Sequence, residues 1–505
     1  TKLVSYTEPS GSSNSVGYDL LVFATGSYCF VPPTPGMVIS EKKNPHWPDD
    51  PASRPQGVFV YRTIEDLDGM IAASKGGARK AAVIGGGLLG LEAAKAVYDL
   101  KMESHVLEMA PFLMPAQLNK TAGTVLAKKI EALDIRVHIG VKILEVVLSG
   151  EKVVGIKIIE NGEEEPTILE VDMVVVSCGI RPRDELAKGC GLELGGRGGI
   201  RVDGGLRTAD PSIYAIGECA SIGGNFCYGL WAPGVEQAEV VVKNLVDGPG
   251  TAQYSHSDLS TKLKLLGVDV ASFGRTSDFW FKRQYDEADE KQVVSLENSN
   301  PFEGTYKKLC FSPDGKTLLG GLLVGDTKDY TKLLQLSKKD PEYVVPNVDF
   351  QLAVKANKIK DEAPPPPPPP LKKPQQEVAR TVSDGPSAVG LTTEGGKRVL
   401  VVGHGPIGHS FIEKLGERNA GFEISVLCEE PRPAYNRVML TQYFVDRDGD
   451  KHDQMKLSYC TETSLKDTGV NLIYGRAVAV DRATKLVSYT EPSGSSNSVG
   501  YDLLV

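Results

Sequence analysis

The sequence predicts an α/β fold with two Rossmann-like dinucleotide-binding domains, on three observations. Two glycine-rich turns, Gly403-His404-Gly405-Pro406-Ile407-Gly408 and Gly85-Gly86-Gly87-Leu88-Leu89-Gly90, each join a short strand to a helical segment. Each turn is followed by a second strand that ends at a carboxylate. Two more apolar strands, residues 18–24 and 174–179, run into small-residue turns.

The first turn follows a strand at residues 398–402 and precedes a helix expected over 411–418. In such a turn the first glycine makes the tight bend and the second lets the backbone approach a pyrophosphate. The third lets the helix pack on the strand, and the helix N-terminus faces the phosphate charge. The next strand, 423–427, leads to Cys428, Glu429 and Glu430, and Glu429 stands 21 positions after Gly408. A carboxylate at about that distance binds a ribose hydroxyl.

The second turn follows a strand at 80–84, with a helix expected over 91–100. The strand 104–107 ends at Glu108, 18 positions after Gly90, and no arginine follows directly. A carboxylate there accepts the 2′-hydroxyl and repels a 2′-phosphate, so NADH is expected over NADPH. The strand at 18–24 ends in Ala24-Thr25-Gly26, the strand at 174–178 in Gly179, and Gly217-Glu218 puts one acid at the end of the run 213–216. Two nucleotide sites on one chain suggest an electron carrier and an electron donor.

The chain has 505 residues and a net charge of −9, so its balance and its lack of a long basic run argue against nucleic acid. No apolar run approaches the roughly 18 residues of a membrane span, and no secretory signal opens the sequence. The eight cysteines include no C-x-x-C pair, so no metal or cluster is expected. Scattered thiols point to a reducing, cytoplasmic compartment.

Residues 1–22, TKLVSYTEPSGSSNSVGYDLLV, recur unchanged at 484–505. The offset of 483 residues is far beyond a solenoid period. The units are also permuted, because the turn that should open the first fold appears only at 403–408. Either a tandem array or a circular permutant with overlapping ends accounts for this. Two ordered copies in the same environment would mean an array; a differently packed copy would mean a permutant. Residues 355–395 read as a stiff linker, with seven consecutive prolines at 364–370.

Several stretches resemble the two-dinucleotide-binding flavoprotein reductases, and more narrowly the FAD/NADH part of the NAD(P)H-dependent nitrite reductase large subunit. They are GHGPIGHSFIEKL, EEPRPAYNR, FVYRTIEDL, GGGLLGLEAA, GIRPRDELA, IYAIGECAS, LSTKLKLLGVDV and TLLGGLLVGDTKDY. The resemblance implies FAD and NADH as cofactors, and hydride transfer from nicotinamide C4 to flavin N5 with electrons passed to an unidentified acceptor. It implies that Gly403, Gly405, Pro406, Gly408, Glu429 and Glu430 hold FAD, with Arg437 on the flavin side. Ala24, Thr25 and Gly26 would pass under that cofactor, and Gly217 and Glu218 would meet its ribityl–phosphate region. Gly85, Gly87, Leu88, Leu89, Gly90, Glu108 and Gly179 would serve NADH. Glu92 would lie near the nicotinamide or be a solvated helix charge, and Trp231 would line the flavin or pack in the core.

On this resemblance the FAD-binding domain comprises residues 396–505, 1–60 and 180–250, and the NAD-binding domain residues 61–179. Residues 251–354 would form an α+β interface domain through which such reductases commonly dimerise. The family continues into a cysteine-rich [2Fe–2S] module and a sirohaem/[4Fe–4S] domain, whereas this sequence runs into the prolines. Nitrite reduction itself is therefore not expected of these residues. Asn436 stands where the signature has Asp, and residues 38–56 look longer than the family norm. An active FAD-dependent NADH oxidoreductase is the first expectation. A filament-forming structural protein built on the same fold is the alternative, with self-association through the interface domain or the array.

Overall fold

The computed structural model describes residues 2–7, 13–37, 54–223, 227–255, 257–274, 293–339, 397–418, 421–444, 457–482, 485–490 and 496–497. The proline-rich linker, most of the long segment at 38–56 and the repeated residues 501–505 lie outside them.

The first sheet is parallel throughout. Its order is Ile213–Ala215, Leu20–Phe23, Arg398–Val402, Glu423–Cys428 and Asn471–Tyr474. The permuted reading explains that order, since Val399 pairs with Leu20 and Val402 with Phe23 across almost the whole sequence. Leu20, Leu21, Val22 and Phe23 are each fully buried, as a central parallel strand covered on both faces must be. Asp19 ties the two ends together. Its N–H donates to the Arg398 carbonyl at 3.0 Å, and its carboxylate accepts the Arg398 N–H at 2.6 Å.

The second sheet is also parallel, in the order Val58–Val60, Met173–Val176, Lys80–Ile84, Glu103–Glu108 and Arg136–Ile139. It begins before the boundary expected at residue 61. An antiparallel sheet of Lys142–Ser149, Lys152–Ile159 and Thr167–Leu169 accompanies it. The helix Ile64–Lys75 starts at Thr63, whose side chain and Asp66 form a reciprocal capping box. Between the two folds runs a short antiparallel ribbon, Ser27–Cys29 against Ile180–Pro182.

Both helices after the glycine turns start earlier than expected, as Leu88–Asp99 and Pro406–Glu417. The third glycine of each turn lies inside its helix. Helix propensity disfavours glycine there by about 1 kcal/mol, but the close packing of helix on strand needs it.

The remaining residues form an antiparallel sheet in the order Thr261–Leu265, Val268–Gly274, Leu318–Val324, Thr305–Phe311 and Val294–Asn300. Phe273, Phe311, Leu323, Tyr330 and Leu333 share a core beneath the helix Tyr330–Ser337. Val270, Tyr306, Leu322 and Val324 join the core of the second fold instead. The Asn119 amide donates to the Tyr306 hydroxyl at 2.8 Å. The α/β fold class with two parallel-sheet folds and a smaller α+β unit is thus observed.

The two repeat copies have different neighbours. Lys2–Thr7 pairs antiparallel with Arg476–Asp481 and parallel with Lys485–Thr490, so Lys2 faces Lys485 and Val4 faces Val487. The first copy also supplies Leu20–Phe23 to the central slot. This packing gives the tandem array no support.

Candidate cofactor-binding site

The two glycine turns have the same geometry. Gly403 and Gly85 have φ of 111° and 112°. A Cβ at Gly403 would lie 2.4 Å from the Ala24 carbonyl oxygen, and one at Gly85 would lie 2.2 Å from that of Ser177. Only glycine turns there against the neighbouring strand. At the third position, a Cβ on Gly408 would lie 2.1 Å from the Gly403 oxygen, and one on Gly90 would lie 1.8 Å from the Gly85 oxygen.

The middle glycines differ from these. A Cβ on Gly405 or Gly87 would meet nothing within 4 Å. Both are helix N-caps in extended conformation with no side chain capping the first turn. The backbone N–H groups at each helix start are therefore left for a ligand, beside a space that a side chain would fill. Pro406 and Leu88 open their helices, and proline suits that position because its missing N–H is not needed. Leu89 follows, partly buried. These features fit a pyrophosphate at each turn.

Glu108 is fastened at the edge of the second turn. Its two oxygens accept from the Gly86 and Ala110 N–H groups, each at 2.7 Å. In the first fold the register shifts the acid. The N–H of Gly85 bonds Leu107 and that of Gly403 bonds Leu427, so Cys428 occupies the strand position that Glu108 holds in the second fold. Glu429 lies one residue further out. There its carboxylate meets Arg183 at 2.6 Å and Arg476 at 3.5 Å. Glu430 points to another cluster, accepting from the Tyr435 hydroxyl at 2.8 Å and pairing with Arg437. The Arg437 guanidinium also lies over the Tyr435 ring at 5.3 Å.

Gly217 and Glu218 sit against the start of the first-turn helix. Gly217, at φ 78°, packs on Ile407, and its N–H donates to Gln237 at 2.7 Å. Glu218 accepts from the Ser27 hydroxyl at 2.6 Å and from Arg62 at 2.9 Å. Burial pushes its carboxyl up, but Arg62, the Ser27 hydroxyl and Arg437 outweigh this and hold it below the usual value. The Ala24 N–H donates to the Val402 carbonyl at 2.9 Å. The Thr25 hydroxyl donates to the Arg183 carbonyl at 2.7 Å, and Gly26 has φ 68°. Gly179, at φ 104°, opens the ribbon that returns to the first fold.

Burial removes one of the two readings left open for Trp231 and for Glu92. Trp231 is 46% exposed at the start of the helix Trp231–Val246, so it is not core packing. Glu92 is not a solvated helix charge. Its Oε2 is shut off from solvent with no hydrogen-bond partner among the described residues, as is the Tyr61 hydroxyl. Burial pushes the Glu92 carboxyl up to about 7. It also raises the Tyr61 hydroxyl, which the Glu92 charge raises further.

This makes a stability prediction. A carboxyl raised from 4.5 to about 7 binds its proton in the folded chain where the unfolded chain has lost it. Stability from this group is therefore present below pH 4.5 and lost as pH rises through 7. Glu92→Gln should match the parent near pH 4.5 and exceed it by about 3 kcal/mol at pH 8. Urea unfolding at both pH values measures this; an equal difference at each pH contradicts it.

Spacing did not point to Arg62, Ser27 or Arg183. Arg62 precedes the cap Thr63 and reaches back to Ser27 and Glu218, a contact only the assembled folds create.

Comparison with known proteins agrees with this geometry. Residues 1–244 match the family model described as pyridine nucleotide-disulphide oxidoreductase. The chain is 44% identical over 331 residues to the nitrite reductase (NADH) large subunit of Escherichia coli, covering 65% of this chain and 35% of that protein. It is 37% identical over 325 residues to the nitrite reductase [NAD(P)H] of Bacillus subtilis, covering 64% and 35%. Over about two thirds of its length the chain is thus a nitrite-reductase-like module.

The module spans about a third of the length of these curated relatives. It is also 27% identical over 357 residues to an NADH oxidase of Methanocaldococcus jannaschii, covering 68% of this chain and 73% of that one. Its fold resembles an FAD-dependent pyridine nucleotide-disulphide oxidoreductase from Desulfovibrio vulgaris, with TM-score 0.54 and 24% identity over 70% of this chain and 89% of that one. The two open turns of this chain each fit a pyrophosphate. The filament alternative finds no support in these relatives. Among the described residues, no helix is long and apolar enough to cross a membrane.

Proposed function

We propose that the module binds FAD at the turn 403–408 and NADH at the turn 85–90, and that it passes electrons from NADH to a separate acceptor. The observation that carries this is the pair of matched turns, each with open space at its middle glycine and an uncapped helix start. FAD, when bound, supplies the hydride-accepting ring and the route for electrons onward. The protein's own residues bind and orient: Glu108 takes the donor's ribose, while Glu218, Arg62 and Ser27 fix the floor between the two folds. None of the eight cysteines is in a disulfide, so a redox-active cystine has no part in the proposal.

The experiment is optical. The purified chain should show a flavin spectrum that NADH bleaches without oxygen and that returns on adding an acceptor dye. A colourless chain that takes up no added FAD, or a flavin that NADH leaves oxidised, would overturn the proposal.

A further inference from the structure

His404 lies within the first turn, between Gly403 and Gly405. It is 6% exposed, and neither ring nitrogen has a hydrogen-bond partner among the described residues. His409, one helical turn into the helix Pro406–Glu417, is equally buried and has an unpartnered Nδ1. The two rings meet edge to face, 5.6 Å apart. Cys460, just before the helix Glu462–Asp467, completes the group. One ligand atom from each of the three residues lies within 4.8 Å of the other two.

A buried polar atom without a partner is costly, and three unpartnered imidazole nitrogens in one place are rare in a settled core. Burial, with His409 beside it, pushes His404 down to about 3, so both rings are neutral and carry a lone pair. The Nε2 of His409 lies 3.5 Å from the Glu413 carboxylate. A proton on Nε2 would face that carboxylate and leave Nδ1 for a ligand, the arrangement that supports many metal-bound histidines. Tyr459 stacks on His409 at 5.5 Å and covers the ring.

We propose that His404, His409 and Cys460 form a binding site for a borderline-soft divalent cation of the zinc class. Two imidazoles and a thiolate suit that cation in tetrahedral geometry, with a fourth position for water. Zinc bonds of about 2.0–2.3 Å need ligand atoms about 3.3–3.7 Å apart, so side-chain shifts of about 1 Å close the set. Binding displaces the Cys460 thiol proton to solvent, so uptake weakens as pH falls. The cation would fasten the first turn, its helix and the segment at 457–460 to one another.

The test uses the full chain, stripped with a chelator and titrated with Co2+ alone, the spectra being read as differences from the unloaded chain. One equivalent should give a sulfur-to-cobalt charge-transfer band in the near ultraviolet and the intense visible bands of a tetrahedral site, and Zn2+ should displace it. Cys460→Ser should abolish the charge-transfer band, while Cys190→Ser leaves it intact. His404→Asn should weaken Co2+ binding at least tenfold. No band in the unmodified chain, or a band that survives Cys460→Ser, overturns the proposal. Should Cys460→Ser fail to fold, a Co2+ affinity unchanged in His404→Asn overturns it equally. These readouts do not depend on turnover, so failure of the flavin proposal would leave them interpretable.

Discussion

Replacing Gly405 with valine should leave the chain folded and strip it of FAD. Gly405 has ordinary extended backbone angles, and a Cβ there meets no protein atom within 4 Å. A side chain therefore costs the fold little, and it occupies the space beside the uncapped N–H groups where the pyrophosphate would lie. Displacing that contact removes several charge-assisted hydrogen bonds of about 1.5–3 kcal/mol each, so FAD affinity should fall by a factor of at least about 100. The ratio of flavin to protein absorbance in the purified variant measures occupancy, and circular dichroism checks the fold. Gly408→Val is the contrasting case. Its Cβ would lie 2.1 Å from the Gly403 carbonyl oxygen, so it should lose stability as well as flavin. Full flavin occupancy in Gly405→Val would refute the assignment of the first turn.

NADH should reduce the flavin roughly 100-fold faster than NADPH at equal, subsaturating concentration. The decisive group is Glu108, which two backbone N–H groups hold at the strand end. In that position the carboxylate accepts the ribose hydroxyls and opposes a 2′-phosphate. A lost hydrogen bond to a charged group plus like-charge repulsion amounts to about 3 kcal/mol, or roughly two powers of ten. Glu108→Ser should bring the two rates within about tenfold of each other, mostly by slowing NADH. Stopped-flow reduction with each nucleotide checks both statements. Equal rates in the unmodified chain would show that Glu108 does not read the ribose.

The glycine spacing was legible because each glycine answers a local steric demand. The strands Lys80–Ile84 and Arg398–Val402 were legible for a similar reason, as short apolar runs. Glu429 was less so. Counting from Gly408 leads to it, yet the backbone pairing gives its expected place to Cys428 and turns Glu429 toward Arg183. Counting cannot see register, which depends on the neighbouring strand. The buried state of Glu92 was illegible too, since a glutamate near the start of a helix is as easily solvated as enclosed.

The sequence by itself determined that there are two nucleotide turns and that their parts run in permuted order, and its resemblance named the family. These properties are written in residue types at short spacings and in an exact repeat. Only the tertiary structure decided that Leu20–Phe23 lies beside Arg398–Val402, and that Arg62 bridges Ser27 and Glu218. It alone brought His404, His409 and Cys460 to one point. Such contacts join residues far apart in the chain, and they form because the parallel sheets must bury both faces and so bring distant segments together.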